Sequence, residues 1–135
     1  MFSRFSPAAR RVLRAAEQEC RNHNHYYVGA EHLLEALLAE HDRAILAALD
    51  SKAIDSRAVH AEVHRSIDPD DDRVWEGILL TPRVRKIVAV AEAAAVDREI
   101  EPFDLFEALR AEGGSLAAEI LRRAAAPRNP ATATE

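Results

Sequence analysis

"SPAARRVLRAAEQEC" (residues 6–20) and "TPRVRKIVAVAEAAA" (residues 81–95) are one device written twice. In each, a hydroxyl residue suited to capping a helix precedes a proline, which is tolerated at the first helical position. Apolar residues then recur at helical spacing, in the first stretch Val12, Leu13, Ala16 and Cys20. Pro7 aligns with Pro82 at an offset of 75. A second pair, "EHLLEALLAE" (31–40) and "FDLFEALRAE" (103–112), aligns Leu33 with Leu105 at an offset of 72. The loop between the first two helices is therefore three residues shorter in the second copy. "RAILAALDSKA" (43–53) matches "SLAAEILRRAA" (115–125), whereas "DSRAVHAEVHRSI" (55–67) has no counterpart. Such self-similarity marks a repeat architecture. The expected fold is all-α: a tandem repeat of two four-helix units, the second truncated, with about seven helices in total. Repeat one covers 1–67, a polar linker 68–80 and repeat two 81–126, while the tail 127–135 reads as disordered.

Local signals fit this outline. Asp42 and Asp55 read as N-caps of the third and fourth helices. Ile54 stands where it can staple onto Val59, and Phe5 reads as a staple residue ahead of helix one. The second helix begins near Ala30 and reads as amphipathic, with Leu33, Leu34, Leu37 and Leu38 as its apolar stripe. Gly113-Gly114 separates the last two helices, and no strand signal is convincing.

Composition excludes several classes. The chain has 135 residues, enough for one domain with a core, and is 48% hydrophobic and 30% charged, as a globular protein is. A net charge of −5 offers no electrostatic footprint for nucleic acid. No apolar run approaches the roughly 20 residues of a membrane helix, and "MFSRFSPAARR" lacks the apolar core of a signal peptide. A single cysteine, Cys20, allows no internal disulfide and fits a reducing cytoplasm.

The point of chemical interest is the mouth of the second helix, where Ala30, Glu31 and His32 follow Gly29. An acid in a first helical turn and a capping histidine are ordinary helix-start chemistry. The same place offers free N–H groups and a positive dipole end to an anion. Cys20, His23, His25 and His32 match no standard zinc spacing, so no metal site is expected. In "DPDDDRVWEG" (68–77), Asp68, Asp70 and Asp72 alternate as in a calcium loop. However, Arg73 replaces the required glycine and Leu79 the bidentate glutamate. Trp75 is expected to tuck between the repeats. No nucleophile–base set emerges, no P-loop motif occurs in the chain, and neither enzymatic activity nor a cofactor is expected.

"MFSRFSPAARRVLRAAEQE", "YVGAEHLLEALL" and "LLTPRVRKIVAVAEAAA" together resemble the N-terminal domain of the Clp (Hsp100) unfoldases, the ClpC type most of all. The resemblance runs from residue 1 to about 125 and is weaker over 97–104. It implies a non-catalytic module that docks adaptor proteins and substrates for an ATPase ring. In ClpC-type members it also implies recognition of phosphorylated arginine, with a glutamate on the guanidinium and helix N-terminal groups on the phosphate. Glu31 matches that glutamate and His32 the histidine after it, while Ala30 replaces the usual threonine. In copy two Phe103 and Asp104 stand in their places, so the second such site is expected to be lost. The resemblance also implies a peptide or adaptor groove between the repeats, with Phe2 on one side and Leu80, Arg85 and Lys86 on the other. Arg10, Arg11 and Arg83 would extend its basic rim.

Two other functions fit the same residues. One is a stand-alone regulator or decoy that mimics the unfoldase's N-domain. The other is a helical oligomerisation scaffold, in which the missing eighth helix leaves an apolar face for a second copy. The expected state is a monomer or weak dimer with protein partners, without nucleic acid or membrane.

Overall fold

The computed structural model describes residues 4–22, 27–67 and 79–125. It contains helices α1 (Pro7–Asn22), α2 (Ala30–Ala39), α3 (Arg43–Ser51), α4 (Ser56–Ser66), α5 (Pro82–Ala94), α6 (Pro102–Glu112) and α7 (Leu116–Ala125). Phe2, His23, His25, Trp75, the acidic run 68–78 and the tail lie outside the described residues.

The helices start where side chains can satisfy their first N–H groups. Ser6 Oγ accepts from the Ala9 N–H at 3.1 Å, and Thr81 Oγ1 accepts from Val84 at 3.2 Å. Asp42 accepts from Ala44 and Ile45, Asp55 from Arg57, and Ser115 from Ala118. Ile54 and Val59 are both buried, as a staple requires. Phe5 is not a staple: the residue it would meet is Arg10, which is exposed. Its ring is instead fully buried in the common core.

The strands escaped the sequence reading. β1 (Tyr27–Val28) and β2 (Leu79–Leu80) pair in parallel, Val28 opposite Leu80. A second parallel bridge joins Phe5 to Ile100. The two are equivalent under the repeat, since Phe5 and Leu80 precede the first helix of each copy and Val28 and Ile100 the second. The Thr81 N–H donates to Val28 O at 3.2 Å, and the Ser6 N–H donates to Ile100 O at 3.0 Å. Each repeat thus lends a backbone segment to the other. Arg4 adds a tie, donating to the carbonyls of Glu92, Ala95 and Arg98 at the end of α5.

Between these crossings lies α2, which packs on α1, α4, α5, α6 and α7. The expected amphipathic stripe is too narrow a description. Every residue from Ala30 to Leu38 is buried except Glu31, which is half-buried. A helix surrounded on all sides must be apolar nearly all round. Its four leucines each contribute about 1.5–3 kcal/mol of burial. Glu35 is the exception, and α4 covers it.

α4 packs on α2 and α7. No counterpart stands on α6 among the described residues, and the surface beside α6 mixes apolar and charged side chains. It is a groove of about 350 Å³ whose lining includes Ile54, Leu121, Glu107, Arg110 and Arg122. Glu107 and Arg110 pair at 2.9 Å, and Leu121 is already buried.

Since Phe5 lies where the repeats cross, Phe5→Ala is expected to cost about 3–5 kcal/mol. Guanidinium unfolding followed by circular dichroism should show one transition at a lower midpoint for the whole chain. Two separated transitions would contradict the interlocked core.

Candidate ligand site at the mouth of α2

β1 delivers the chain to Gly29, the N-cap of α2, in an extended conformation (φ −92°, ψ 174°). Glycine has no side chain to offer the first turn. His32 compensates: the Gly29 N–H donates to His32 Nδ1 at 2.9 Å, and the ring is buried. With Nδ1 accepting, the neutral ring carries its proton on Nε2. His32 therefore closes the first turn from the inner side. Ala30 is buried at the first helical position. Glu31, next along, reaches solvent and has no hydrogen-bond or ion-pair partner among the described residues. It is the acidic residue in the first turn of a helix whose first N–H groups carry partial positive charge.

The equivalent mouth of α6 is filled. Asp104, at the position of His32, accepts from the Glu101 N–H at 2.8 Å. Both its oxygens also accept from Arg98, at 2.7 Å each. The Arg98 guanidinium holds the Asp104 carboxyl below the usual carboxylate range, with help from the Glu101 N–H and against burial. Phe103, at the position of Glu31, is half-buried against the core, with its ring centroid 6.5 Å from that of Phe106.

The second set of candidate residues falls partly beside the first. Leu80 is half-buried against the core, and its pairing with Val28 brings it to the residue just before Gly29. Arg85 and Lys86 are exposed on α5. Phe2 lies outside the described residues, so its place beside Leu80, Arg85 and Lys86 is not described. Two arginines of the basic rim are tied down. Arg11 pairs with Glu40 at 2.8 Å, and Arg83 donates to both oxygens of Glu112 at 2.9 Å. Glu40 and Glu112 are repeat equivalents, so each copy clips its first helix to the end of its second. Sequence reasoning missed these clips, although the recurring glutamate at the end of "EALLAE" and "EALRAE" was a readable signal.

Cys20 is fully buried, and its S–H donates to Tyr27 O at 3.3 Å. Burial pushes its thiol up to about 11. Among the described residues, the side chains grouped closely enough to hold a metal ion are Glu19, Glu35 and His64, a set that includes neither Cys20 nor His32. No described helix is long and apolar enough to cross a membrane.

Two expectations follow from these environments. Asp104 has a depressed carboxyl pKa, so its contribution is complete above the ordinary value of about 3.9 and is lost as pH falls through the lower folded value. Asp104→Ala should lose about 1–2 kcal/mol at pH 7. Its deficit against the parent, measured by urea unfolding, should narrow below about pH 4. At pH 8, Cys20 should resist iodoacetamide in the folded chain and react once urea unfolds it, because the thiolate is the reactive form. Rapid labelling of the native protein would contradict the buried thiol.

Comparison with known proteins agrees with the geometry. The sequence model of the Clp repeat (R) N-terminal domain matches residues 4–124. The chloroplastic chaperone protein ClpC of Pisum sativum is 29% identical over 124 residues, 90% of this chain and 13% of that protein. The chloroplastic chaperone protein ClpC3 of Oryza sativa subsp. japonica is 41% identical over 73 residues, 53% of this chain and 8% of that protein. The chain thus spans about a tenth of the length of these relatives. The crystal structure of the N-terminal domain of ClpD from Arabidopsis thaliana superposes with a TM-score of 0.71 at 21% identity, covering 94% of this chain and 88% of that one. A structure from an investigation of a malarial protein secretion system gives a TM-score of 0.72 at 18% identity, covering 90% and 85%. These last two carry the fold alone. With a family match over nearly the whole described chain, and with doubled capping devices and crossed strands beneath it, this chain belongs to the Clp repeat N-terminal domain family.

Proposed function

We propose that the chain is a non-catalytic recognition module of a Clp unfoldase system, docking substrates or adaptor proteins for an ATPase ring. Within it, the mouth of α2 takes a ligand of the phosphoarginine class. Glu31 receives the guanidinium, and the first N–H groups of α2, at Ala30 and His32, face the phosphate. Leu80, Arg85, Lys86 and Phe2 form the adjoining surface for the rest of a peptide or adaptor. The working compartment is reducing and aqueous, as a cytoplasm is.

The observation that carries this reading is the placement of Glu31. Along the buried stretch of α2 it is the one side chain left toward solvent, and it has no partner among the described residues. A carboxylate there suits the fork of a guanidinium, and the helix end suits an anion. The opposite mouth supports the pairing by analogy. There an internal guanidinium, Arg98, already lies bidentate on a carboxylate at the start of α6. That occupant also argues for one site per chain, without the gain of bivalent attachment.

Calorimetric titration of the chain with free phosphoarginine tests the reading. One saturable site is expected, weakened at least about tenfold in Glu31→Ala, the loss of one charge-assisted contact. Equal binding by parent and variant would remove Glu31 from the mechanism. No binding by the parent would leave Glu31 and His32 as helix-start residues.

A further inference from the structure

Away from the mouth of α2, α4 covers Glu35 with two histidines one helical turn apart, His60 and His64. Glu35 projects from the otherwise apolar α2, and its side chain is 7% exposed. Its Oε1 lies 2.6 Å from His64 Nδ1 and 3.7 Å from His60 Nε2. Its Oε2 is buried with no hydrogen-bond partner among the described residues. Glu19 comes in from α1, with Oε1 3.7 Å from His64 Nδ1. The ligand atoms of Glu19, Glu35 and His64 all lie within 4.8 Å of one another.

A buried carboxylate with an unserved oxygen is costly in an apolar setting. Copy two shows how the position is otherwise used. The equivalent residue, Glu107, stays half-exposed and pairs with Arg110 at the surface. In copy one no lysine or arginine pairs with Glu35 among the described residues, and the groups facing it are imidazole nitrogens and a second carboxylate. Two carboxylates and an imidazole nitrogen together match the donor preference of a divalent transition metal.

We propose that Glu19, Glu35 and His64 form a binding site for a divalent transition metal such as Zn²⁺, with His60 beside it as a further nitrogen donor. Tetrahedral zinc with bonds of about 2.0–2.1 Å sets its ligand atoms roughly 3.3 Å apart. Reaching that spacing needs the 2.6 Å contact to open slightly, and the 3.7 Å contacts and the Glu19–Glu35 pair, which lies within 4.8 Å, to close by side-chain rotation. The two glutamates cancel the charge of the ion, and Glu35 Oε2 gains a positive centre beside it. His64 is exposed and Glu19 half-buried, so the ion has a path in from solvent. The ligands come from α1, α2 and α4, and the bound ion pins all three together.

Titration of the full chain with Co²⁺ at neutral pH, followed by visible absorption and then displacement by Zn²⁺, is the test. One equivalent of Co²⁺ should produce d–d bands without a thiolate charge-transfer band, which sets the site apart from Cys20. His64→Ala and Glu19→Gln should each weaken binding at least about tenfold. Circular dichroism establishes that each variant is folded, and the near-isosteric Glu19→Gln, at a half-buried position of α1, keeps the test open if His64→Ala unfolds. Absence of saturable binding by the parent, a thiolate band, or undiminished binding in a folded variant would overturn the proposal.

Discussion

The structure depends on two backbone exchanges. Val28 pairs with Leu80, and Phe5 with Ile100, so the segment leading into each helix pair is held by the other repeat. Buried N–H and C=O groups must find partners. In a helical protein the short connectors are where they run short. Here each repeat supplies what the other lacks, and the fully buried Phe5, Val28 and Ile100 seal the exchange from water. The helices can pack as they do because their starting points are fixed relative to one another before any side chain is considered.

That constraint also shapes the two helix mouths. Both α2 and α6 begin just after a crossed segment, and both use the side chain three residues past the cap to accept the cap's own N–H: His32 in one, Asp104 in the other. The chemistry then diverges. A neutral imidazole draws no cation, so the residue beside it, Glu31, is left to face solvent. The charged carboxylate of Asp104 draws Arg98 across a turn and shuts the mouth with it. One frame thus yields an open end and a closed one, through Asp104 in place of His32, Phe103 in place of Glu31 and the added guanidinium of Arg98.

Much of this was legible. The caps at Ser6, Asp42, Asp55 and Thr81 are local bargains between a side chain and its own backbone, and a sequence displays both parties. The repeat was legible for the same reason, since it needs only comparison of the chain with itself. The crossed strands were not, because two-residue strands have no periodicity to detect and their partners lie in the other repeat. Nor was the full burial of α2, which depends on how many helices surround it. The cover that α4 lays over Glu35 is likewise a tertiary fact with no local signal in the sequence. His41 escaped notice too. It adopts φ 56° after α2, in the place that Gly113 takes after α6 with φ 71°. A histidine tolerates that left-handed turn at some cost, and only glycine announces it.

The exchange of segments has a bearing on descent. The bridge from Phe5 to Ile100 and the pairing of Val28 with Leu80 are equivalent contacts, each residue occupying the other pair's place in the sequence repeat. A shorter ancestral gene encoding a single repeat would have made a product whose two lead-in segments could be satisfied only by a second molecule. Such a contact is self-complementary and closes as a symmetric pair. Fusion of two such genes end to end would have preserved the contact while making the two halves free to differ. The open mouth of α2 and the closed mouth of α6 are what such freedom looks like after use.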